Sequence, residues 1–508
     1  MYSKLTTCVL MGLDGYDIEV EADIAKGLAN FTIVGLPDTS IKESKERVRS
    51  AIVNSGHRFP LGRITINLVP ATLKKEGSQL DLAIAIAVLD AIGVIIPEIK
   101  KELIFIGELS LDGRLMPIEG ALPMIIAMRE RGYRDFIIPR DNARECSLVE
   151  DVNLYPADSL NQIVDHLNGE KLLEVHISDL NFDSKEIVYD LDFSDIKGQE
   201  DLKRALEVAA AGGHNVLIIG PPGAGKTMAA KRLPTILPSL SFEESIECTK
   251  IYSISGLLGE VGLVEQRPFR APHHTASAVS LIGGGRIPKP GEVSLAHNGV
   301  LFLDELPEFS KHVLEVLRQP MEDGIVTVSR ANATLTYPSN FMLIGSMNPC
   351  PCGNHGNPLV ECTCTNQMIS KYLNKISGPL LDRFDIHIEV SPVQFSELSD
   401  RANGESSDEI RQRVNRARDI QIKRYKDEKI INNDRLSSRQ IKKYIKLSPN
   451  VEKIVSMAFD KYNFSARSFT KILKISRTIA DLDSSEDITE THILEAIRYR
   501  SLDNKYWG

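Results

Sequence analysis

Several things are scarce in this sequence, and each scarcity excludes something. No apolar run is long enough to cross a bilayer. The most apolar segment, LAIAIAVLDAIGVII (Leu82–Ile96), is short and interrupted by Asp90, so it reads as a buried helix. The N-terminal stretch MYSKLTTCVLMGLDGYDIEVEAD carries acids early and lacks an apolar core, which is not the pattern of a signal peptide. There is no tandem repeat and no low-complexity tract. Net positive charge is missing too: the formal charge is -9 and the pI about 5.8, which argues against a chain that coats nucleic acid over its whole surface. Cysteine is sparse, with 7 in 508 residues. The expectation is a cytoplasmic protein with no membrane association, in which clustered cysteines bind metal or do catalysis rather than pair.

What is present is the composition of an ordinary globular chain, 42% hydrophobic and 25% charged, long enough for roughly two to four domains. Residues 1–167 alternate β-like runs (FTIVGLP, ITINLVP, LIFIGELSL, DFIIP) with helical ones (SIKESKERVRSAIVNSG, DLAIAIAVLDAIG), the pattern of an α/β domain. Residues 168–190 are acidic and mixed and read as a linker. Residues 191–390 repeat the strand–helix alternation with phosphate-binding signals. Residues 391–508 are helical and highly charged. Arg401 to Lys446 holds fourteen Lys/Arg against seven Asp/Glu. That run is either a solvated helical face or a surface near a polyanion.

The chemistry starts at NVLIIGPPGAGKTMAAKRL. A β-branched run, Val216 to Ile219, leads into Gly220-Pro221-Pro222-Gly223-Ala224-Gly225-Lys226-Thr227, the spacing G-x-x-x-x-G-K-T. Such a turn lets backbone N–H groups wrap phosphate oxygens at a helix N-terminus. Lys226 would reach the β/γ phosphates of ATP and Thr227 would hold Mg²⁺. A second apolar strand, Val300 to Leu303, ends in Asp304-Glu305. The C-terminal end of a buried parallel strand is where such sheets bind ligand. Asp304 is the expected Mg²⁺ partner, and Glu305 the base that polarises the attacking water. A third strand, FMLIGSM, ends in Asn348, placed to orient that water. Arg383 lies in a turn within ISGPLLDRFDIHIEV; taken alone it reads as a structural ion pair with Asp382 or Asp385.

Together these residues resemble the AAA+ ATPases. The resemblance puts Asn348 at the sensor-1 position, makes Arg383 a candidate arginine finger, and puts Arg467, in FSARSFTKILKISRTIADL, at sensor 2 on a helical lid. It also implies a ring of subunits, usually six, in which the finger serves the neighbour's ATP. Two insertions narrow the resemblance. A Gly-rich segment, FRAPHHTASAVSLIGGGRIPKPGEVSLAHNG, precedes the acid-bearing strand. A hairpin expected over Ile325–Ser329 and Thr334–Tyr337, with Arg330-Ala331-Asn332 near its tip, precedes the Asn348 strand. These are similar to the inserts of magnesium chelatase ATPase subunits and the MCM helicases, where such hairpins project into a central pore. Arg330 would then touch a phosphate backbone, or the hairpin only packs at a subunit interface.

Four of the seven cysteines follow Asn348 directly: Cys350, Cys352, Cys362 and Cys364, as C-x-C, nine residues, C-x-C. Four thiolates in one loop can close a tetrahedral structural Zn²⁺ site; unmetallated thiols or a redox pair is the alternative. His355 would be a surplus ligand. Cys8, Cys146 and Cys248 are scattered.

The N-terminal stretches ITINLVPATLKKEGSQLDLAIAIAVL and GELSLDGRLMPIEGALPMIIAMRERGYRDFIIP resemble the active-site stretches of the Lon protease domain, whose catalyst is a Ser–Lys dyad. The Ser position falls on Gln79 and the Lys position on Leu122, neither of which can do that chemistry. Ser78, with Lys74 or Lys75, leaves a displaced dyad conceivable, and Lys74, Lys75 and Arg63 are alternatively candidates for a nucleic-acid contact.

The combination of Lon-like domain, chelatase-type AAA+ core with its CPC…CTC loop, and helical lid resembles the bacterial YifB/ComM family. The resemblance implies an ATP-hydrolysing hexamer acting on single-stranded or branched DNA, a branch-migration helicase of recombination and natural transformation that is not an active protease. The rival expectations are a chelatase-type motor or a protein-remodelling ATPase that does not act on DNA.

Overall fold

The computed structural model describes residues 1–95, 102–178, 189–259, 262–285, 288–330, 333–357, 360–392, 404–428 and 430–507. The described chain forms two compact units. One comprises the described residues of 1–185 and 242–264, the other those of 186–241 and 265–508.

The first unit is built on a mixed seven-stranded sheet. Its strands run in the order Asn30–Val34, Arg63–Val69, Asp14–Ala25, Tyr2–Met11, Leu103–Phe105, Asp135–Pro139, Asn153–Ala157. The two longest, Tyr2–Met11 and Asp14–Ala25, form an antiparallel hairpin in full register from Tyr2↔Asp23 to Met11↔Asp14. Their signal lies in the sequence: Ile18, Val20, Ala22 and Ile24 alternate with polar residues, and all four are buried, the period of a half-buried strand. The apolar segment does form a buried helix, Asp81–Ala91, in which Leu82 through Leu89 are fully buried.

The unit also claims a segment that sequence position assigned to the 191–390 core. The helix Phe242–Ile254 packs on the helix Ala121–Glu130, and Ile246 and Leu263 join the core around Leu122 and Met128. Ser253 ties it down, donating to the buried Glu145 at 2.6 Å and accepting from the Gly120 amide at 3.2 Å.

The second unit centres on five parallel strands in the order Phe269–Arg270, Val300–Leu303, Met342–Met347, Val216–Ile219, Ile386–Glu389. Strands buried on both faces should be continuous apolar runs, and Val216–Ile219, Val300–Leu303 and Met342–Met347 are buried at every position. The helices Glu200–Gly212, Ser407–Arg424, Ala466–Leu482 and Glu490–Trp507 complete this core. The expected hairpin forms as Ile325–Arg330 paired antiparallel with Ala333–Pro338. Residues 331 and 332 of its tip lie outside the described residues, as does the side chain of Arg330. A second, short hairpin pairs Gly283–Gly284 with Lys289–Pro290, and the buried Tyr337 donates to the Pro288 carbonyl at 2.9 Å, tying the two insertions together. Among the described residues no helix is long and apolar enough to cross a membrane.

Candidate functional site

The phosphate loop follows the strand Val216–Ile219, and its glycines do what their positions demand. Gly223 and Gly225 sit at φ +78° and +82°, the left-handed region that favours glycine. A side chain on Gly223 would meet nothing within 4 Å, so this backbone faces open space, as a cradle for phosphate must. Gly220 is different: a Cβ there would lie 2.3 Å from Val390, and glycine is required for packing. The helix Lys226–Arg232 begins directly after Gly225.

Lys226 is nearly buried. Its amine donates to the carbonyls of Gly220 at 2.7 Å and Pro221 at 2.8 Å, and to Asn348 Oδ1 at 3.1 Å. Burial pulls its pKa down to about 8, against the opposing pull of Asp304 and Glu305. Thr227 Oγ1 donates to Asp304 Oδ2 at 2.7 Å. The other oxygen of Asp304 accepts from the Glu305 amide at 3.0 Å and from Ser346 Oγ. A hydroxyl and a carboxylate converging beside a backbone cradle are the donor set that Mg²⁺-nucleotide needs. Glu305 adopts φ +51°, a backbone region uncommon for residues with a side chain.

Two residues here were missed from sequence. Ser346 fixes Asp304 from the adjacent strand. His274 stands with Nδ1 3.6 Å from Glu305 Oε2, its ring packed 4.1 Å from that of His273. The signal was the HH doublet just past the edge strand Phe269–Arg270, at the same C-terminal edge of the sheet as Gly220, Asp304 and Asn348.

Arg383 and Arg467 lie elsewhere. Arg383 precedes its strand rather than following it, and its carbonyl accepts from Asn215 Nδ2 at 3.1 Å. Asn215 is at the start of the strand whose end carries the phosphate loop. The two places are separated by the length of that strand, about 13 Å. The Arg383 side chain donates to Glu322 and to the Pro379 carbonyl. Neither Asp382 nor Asp385 is its hydrogen-bonded partner, because both are engaged by the lid helix: Arg467 approaches Asp382 at 3.6 Å, and Lys471 holds Asp385 at 2.9 Å. The structure thus gathers Lys226, Thr227, Asp304, Glu305 and Asn348 at one edge of the sheet, and sets Arg383 beside Arg467 at the other.

The four cysteines converge. Their sulfurs all lie within 4.8 Å of one another, with Cys350 3.3 Å from Cys352 and 3.7 Å from Cys362, and Cys352 3.6 Å from Cys362. Tetrahedral Zn–S bonds of about 2.3 Å place sulfurs about 3.8 Å apart, so the donor set fits zinc. No disulfide links them. The His355 side chain is not among the clustered groups; its backbone amide donates to Cys350 Sγ at 3.3 Å. Cys8, Cys146 and Cys248 are buried and apart.

The Lon-like stretches hold no displaced dyad. Lys75 is fully buried and its amine donates to the carbonyls of Gly35 and Leu68, each at 3.0 Å, and of Pro70. Lys74 pairs with Glu76, and Ser78 with Glu108. Gln79 is tied to the Glu76 carbonyl at 2.8 Å, and Leu122 is fully buried in the core. Burial also removes Lys75 from any nucleic-acid contact. In the basic run, Arg413 bridges Glu207 and Glu405, Arg424 holds the buried Asp481, and Arg418 donates to the Ala210 carbonyl, so part of that positive charge is spent inside the unit.

Three family descriptions match the chain: Magnesium chelatase, subunit ChlI over residues 192–398; Subunit ChlI of Mg-chelatase over 20–142; and Magnesium chelatase, subunit ChlI C-terminal over 404–500. The chain is 44% identical over 498 residues to competence protein ComM of Haemophilus influenzae, covering 97% of this chain and 96% of that one. It is 44% identical over 503 residues to YifB of Escherichia coli, covering 99% and 97%. Against magnesium-chelatase subunit ChlI of Guillardia theta it is 25% identical over 232 residues, covering 41% and 59%.

Proposed function

The chain belongs to the YifB/ComM family of Mg chelatase-like AAA+ ATPases, and from that premise we propose that it is one subunit of an ATP-driven ring, most simply a hexamer, that moves DNA branch points during recombination or transformation. The observation that carries the ring is the division of the charged set between opposite edges of one parallel sheet. Arg383 and Arg467 are too far from their own phosphate loop to serve it, and they are adjacent, so one neighbour's nucleotide would receive both. This gives Arg467 the same trans role as Arg383.

In the proposed reaction the Gly223–Gly225 backbone and Lys226 hold the ATP phosphates. Mg²⁺, held by Thr227 and Asp304, would supply charge neutralisation at the β and γ oxygens. Glu305 takes the proton of the attacking water, and His274 holds its carboxylate in place. Asn348, bonded to Lys226, aligns the water. The neighbour's Arg383 and Arg467 stabilise charge on the transferring group. The hairpin Ile325–Arg330/Ala333–Pro338 is the element proposed to face DNA in the pore. The cysteine cluster is proposed to hold one structural Zn²⁺.

The test is ATPase rate at low salt, alone and with single-stranded, duplex and four-way-junction DNA, with Lys226→Ala as the blank. Stimulation that is largest with branched DNA is expected, followed by junction migration. Basal hydrolysis indifferent to every DNA would instead favour a chelatase-type or protein-remodelling ring. The trans roles have their own test. Chains carrying Lys226→Ala and chains carrying Arg383→Ala, each inactive alone, should regain turnover when mixed, because one supplies the loop and the other the finger.

A further inference from the structure

The cysteine cluster does not stand apart from the phosphate site. Cys350 is two residues beyond Asn348 and fully buried. The turn Cys350-Pro351-Cys352-Gly353 closes when the Gly353 amide donates to the Cys350 carbonyl at 3.0 Å. Gly353, at φ +83°, is then pressed onto the phosphate loop: a Cβ there would lie 2.5 Å from Pro222 Cδ, 2.9 Å from Pro222 Cγ and 3.9 Å from Asn348 Cγ. Past Cys364, Thr365 caps the helix Asn366–Leu373, and the buried Tyr372 on that helix lies close enough to the Asn348 backbone for it to oppose the rise in the phenol's pKa that burial causes. The segment that the cysteines close therefore meets the nucleotide site at Gly353, and its far end brings Tyr372 near Asn348. It meets Pro222 directly, and it reaches Lys226 through Asn348.

We infer that the four-cysteine site is a brace for the phosphate loop, so that nucleotide affinity depends on the metal it holds. This rests on the readings of the cysteines as a zinc site and of residues 220–227 as the nucleotide site. The physical reason is local. Gly353 and Pro222 touch backbone to ring, with no flexible side chain between them, so a displacement of the cysteine turn passes to the loop undiminished. A loop with two glycines at positive φ and open space before it has little else to hold it from that side. With the four thiolates fixed on one ion, the turn at Gly353 has one position. With the ion removed, nothing ties the four sulfurs to one point and the turn is no longer defined.

The experiment measures affinity, not turnover, on the full chain. Zinc content is determined by metal analysis, and the Kd of a fluorescent ADP analogue is measured with zinc bound, after removal by a thiol-reactive reagent and chelator under reducing wash, and after zinc is restored. One zinc per chain is expected, with Kd rising about tenfold on removal, a loss typical of a disturbed supporting shell, and recovering on restoration. Gly353→Ala separates bracing from folding. It leaves all four cysteines in place but puts a methyl into Pro222 at a left-handed backbone position, and should keep one zinc while raising Kd about threefold or more. Circular dichroism establishes that both forms stay folded. A folded, zinc-free chain with unchanged Kd overturns the brace while leaving the zinc site intact. A Gly353→Ala chain with full affinity overturns the contact through which it acts. A chain that binds no zinc even after reconstitution overturns the metal reading and the brace together. Failure of the native, zinc-loaded chain to bind the ADP analogue at all would overturn the nucleotide reading itself.

Discussion

Two lysines in this molecule have nearly the same surroundings and opposite uses. Lys75, in the N-terminal unit, and Lys226, in the ATPase unit, are both buried, and both amines cap backbone carbonyls. Burial lowers the pKa of each. The difference lies in what stands beside them. Lys75 has three carbonyls, no carboxylate and no open face, and its amine is fully consumed. Lys226 has two carbonyls, the side-chain oxygen of Asn348, the field of Asp304 and Glu305, and a glycine cradle that opens in front of it. A buried lysine is thus a clamp when its shell is closed, and on the proposed reading a phosphate ligand when its shell has a gap that an anion can fill. In the N-terminal unit the polar groups Ser78, Lys74 and Lys75 are each tied to a partner within the unit. The ATPase unit keeps its polar groups convergent.

Substitutions can break this comparison from either side. The largest effect is expected at the ATPase site. Lys226→Ala should abolish nucleotide binding and hydrolysis together. Glu305→Gln should reduce turnover by about 10²–10⁴-fold, the range for removing a positioned general base, while ATP binding, followed with a fluorescent analogue, persists. Normal turnover by Glu305→Gln would remove Glu305 from the base role. Lys75→Met should do the reverse: three carbonyls lose their donor, costing about 3 kcal/mol or more of stability, seen as earlier melting in calorimetry, while the ADP affinity of the folded protein is unchanged. If Lys75→Met stopped ATP hydrolysis at temperatures where the protein stays folded, the clamp reading would fail.

A smaller effect is expected at His274. His274→Ala leaves Glu305 chemically intact but unheld, and kcat should fall about tenfold with Kd for nucleotide unaffected, short of the loss from removing the base itself. The subtlest effect is on pH. Phosphate binding needs the Lys226 ammonium, whose pKa before binding is about 8. Binding raises that pKa, so affinity is full below pH 8 and falls above it, by up to about tenfold per pH unit. An arginine at this position stays charged, and Lys226→Arg should flatten the dependence if it binds at all. An affinity that is level to pH 9.5 in the native chain would contradict the buried, desolvated lysine.

Much of the ATPase site was legible because its information is contiguous. Glycine spacing sets backbone dihedrals within a few residues, and an apolar strand that ends in Asp304-Glu305 or Asn348 delivers those residues to the sheet edge without help from afar. The two C-x-C pairs and the pre-Asn348 hairpin are local in the same sense. The N-terminal hairpin is legible too, in the alternation of Ile18, Val20, Ala22 and Ile24, although a strand that is polar on one face gives a weaker signal than a continuous apolar run. His274 was visible only as a doublet with no stated partner.

What only the tertiary structure decided are relations between distant positions. Glu322 rather than Asp382 or Asp385 bonds Arg383, because the lid helix reaches both aspartates first. Arg467 shares the edge of Arg383 rather than that of Lys226. The helix Phe242–Ile254 leaves its sequence neighbours for the N-terminal unit, because Ser253 meets the buried Glu145 there. Gly353 lands on Pro222. Short-range backbone geometry is written in residue type and spacing, and the sequence by itself determined that much: the phosphate loop, the acid pair, the four-thiol loop and the parallel sheet that carries them. Which side chains meet across 30, 60 or 130 residues depends on how whole elements pack, and only the folded chain settles it.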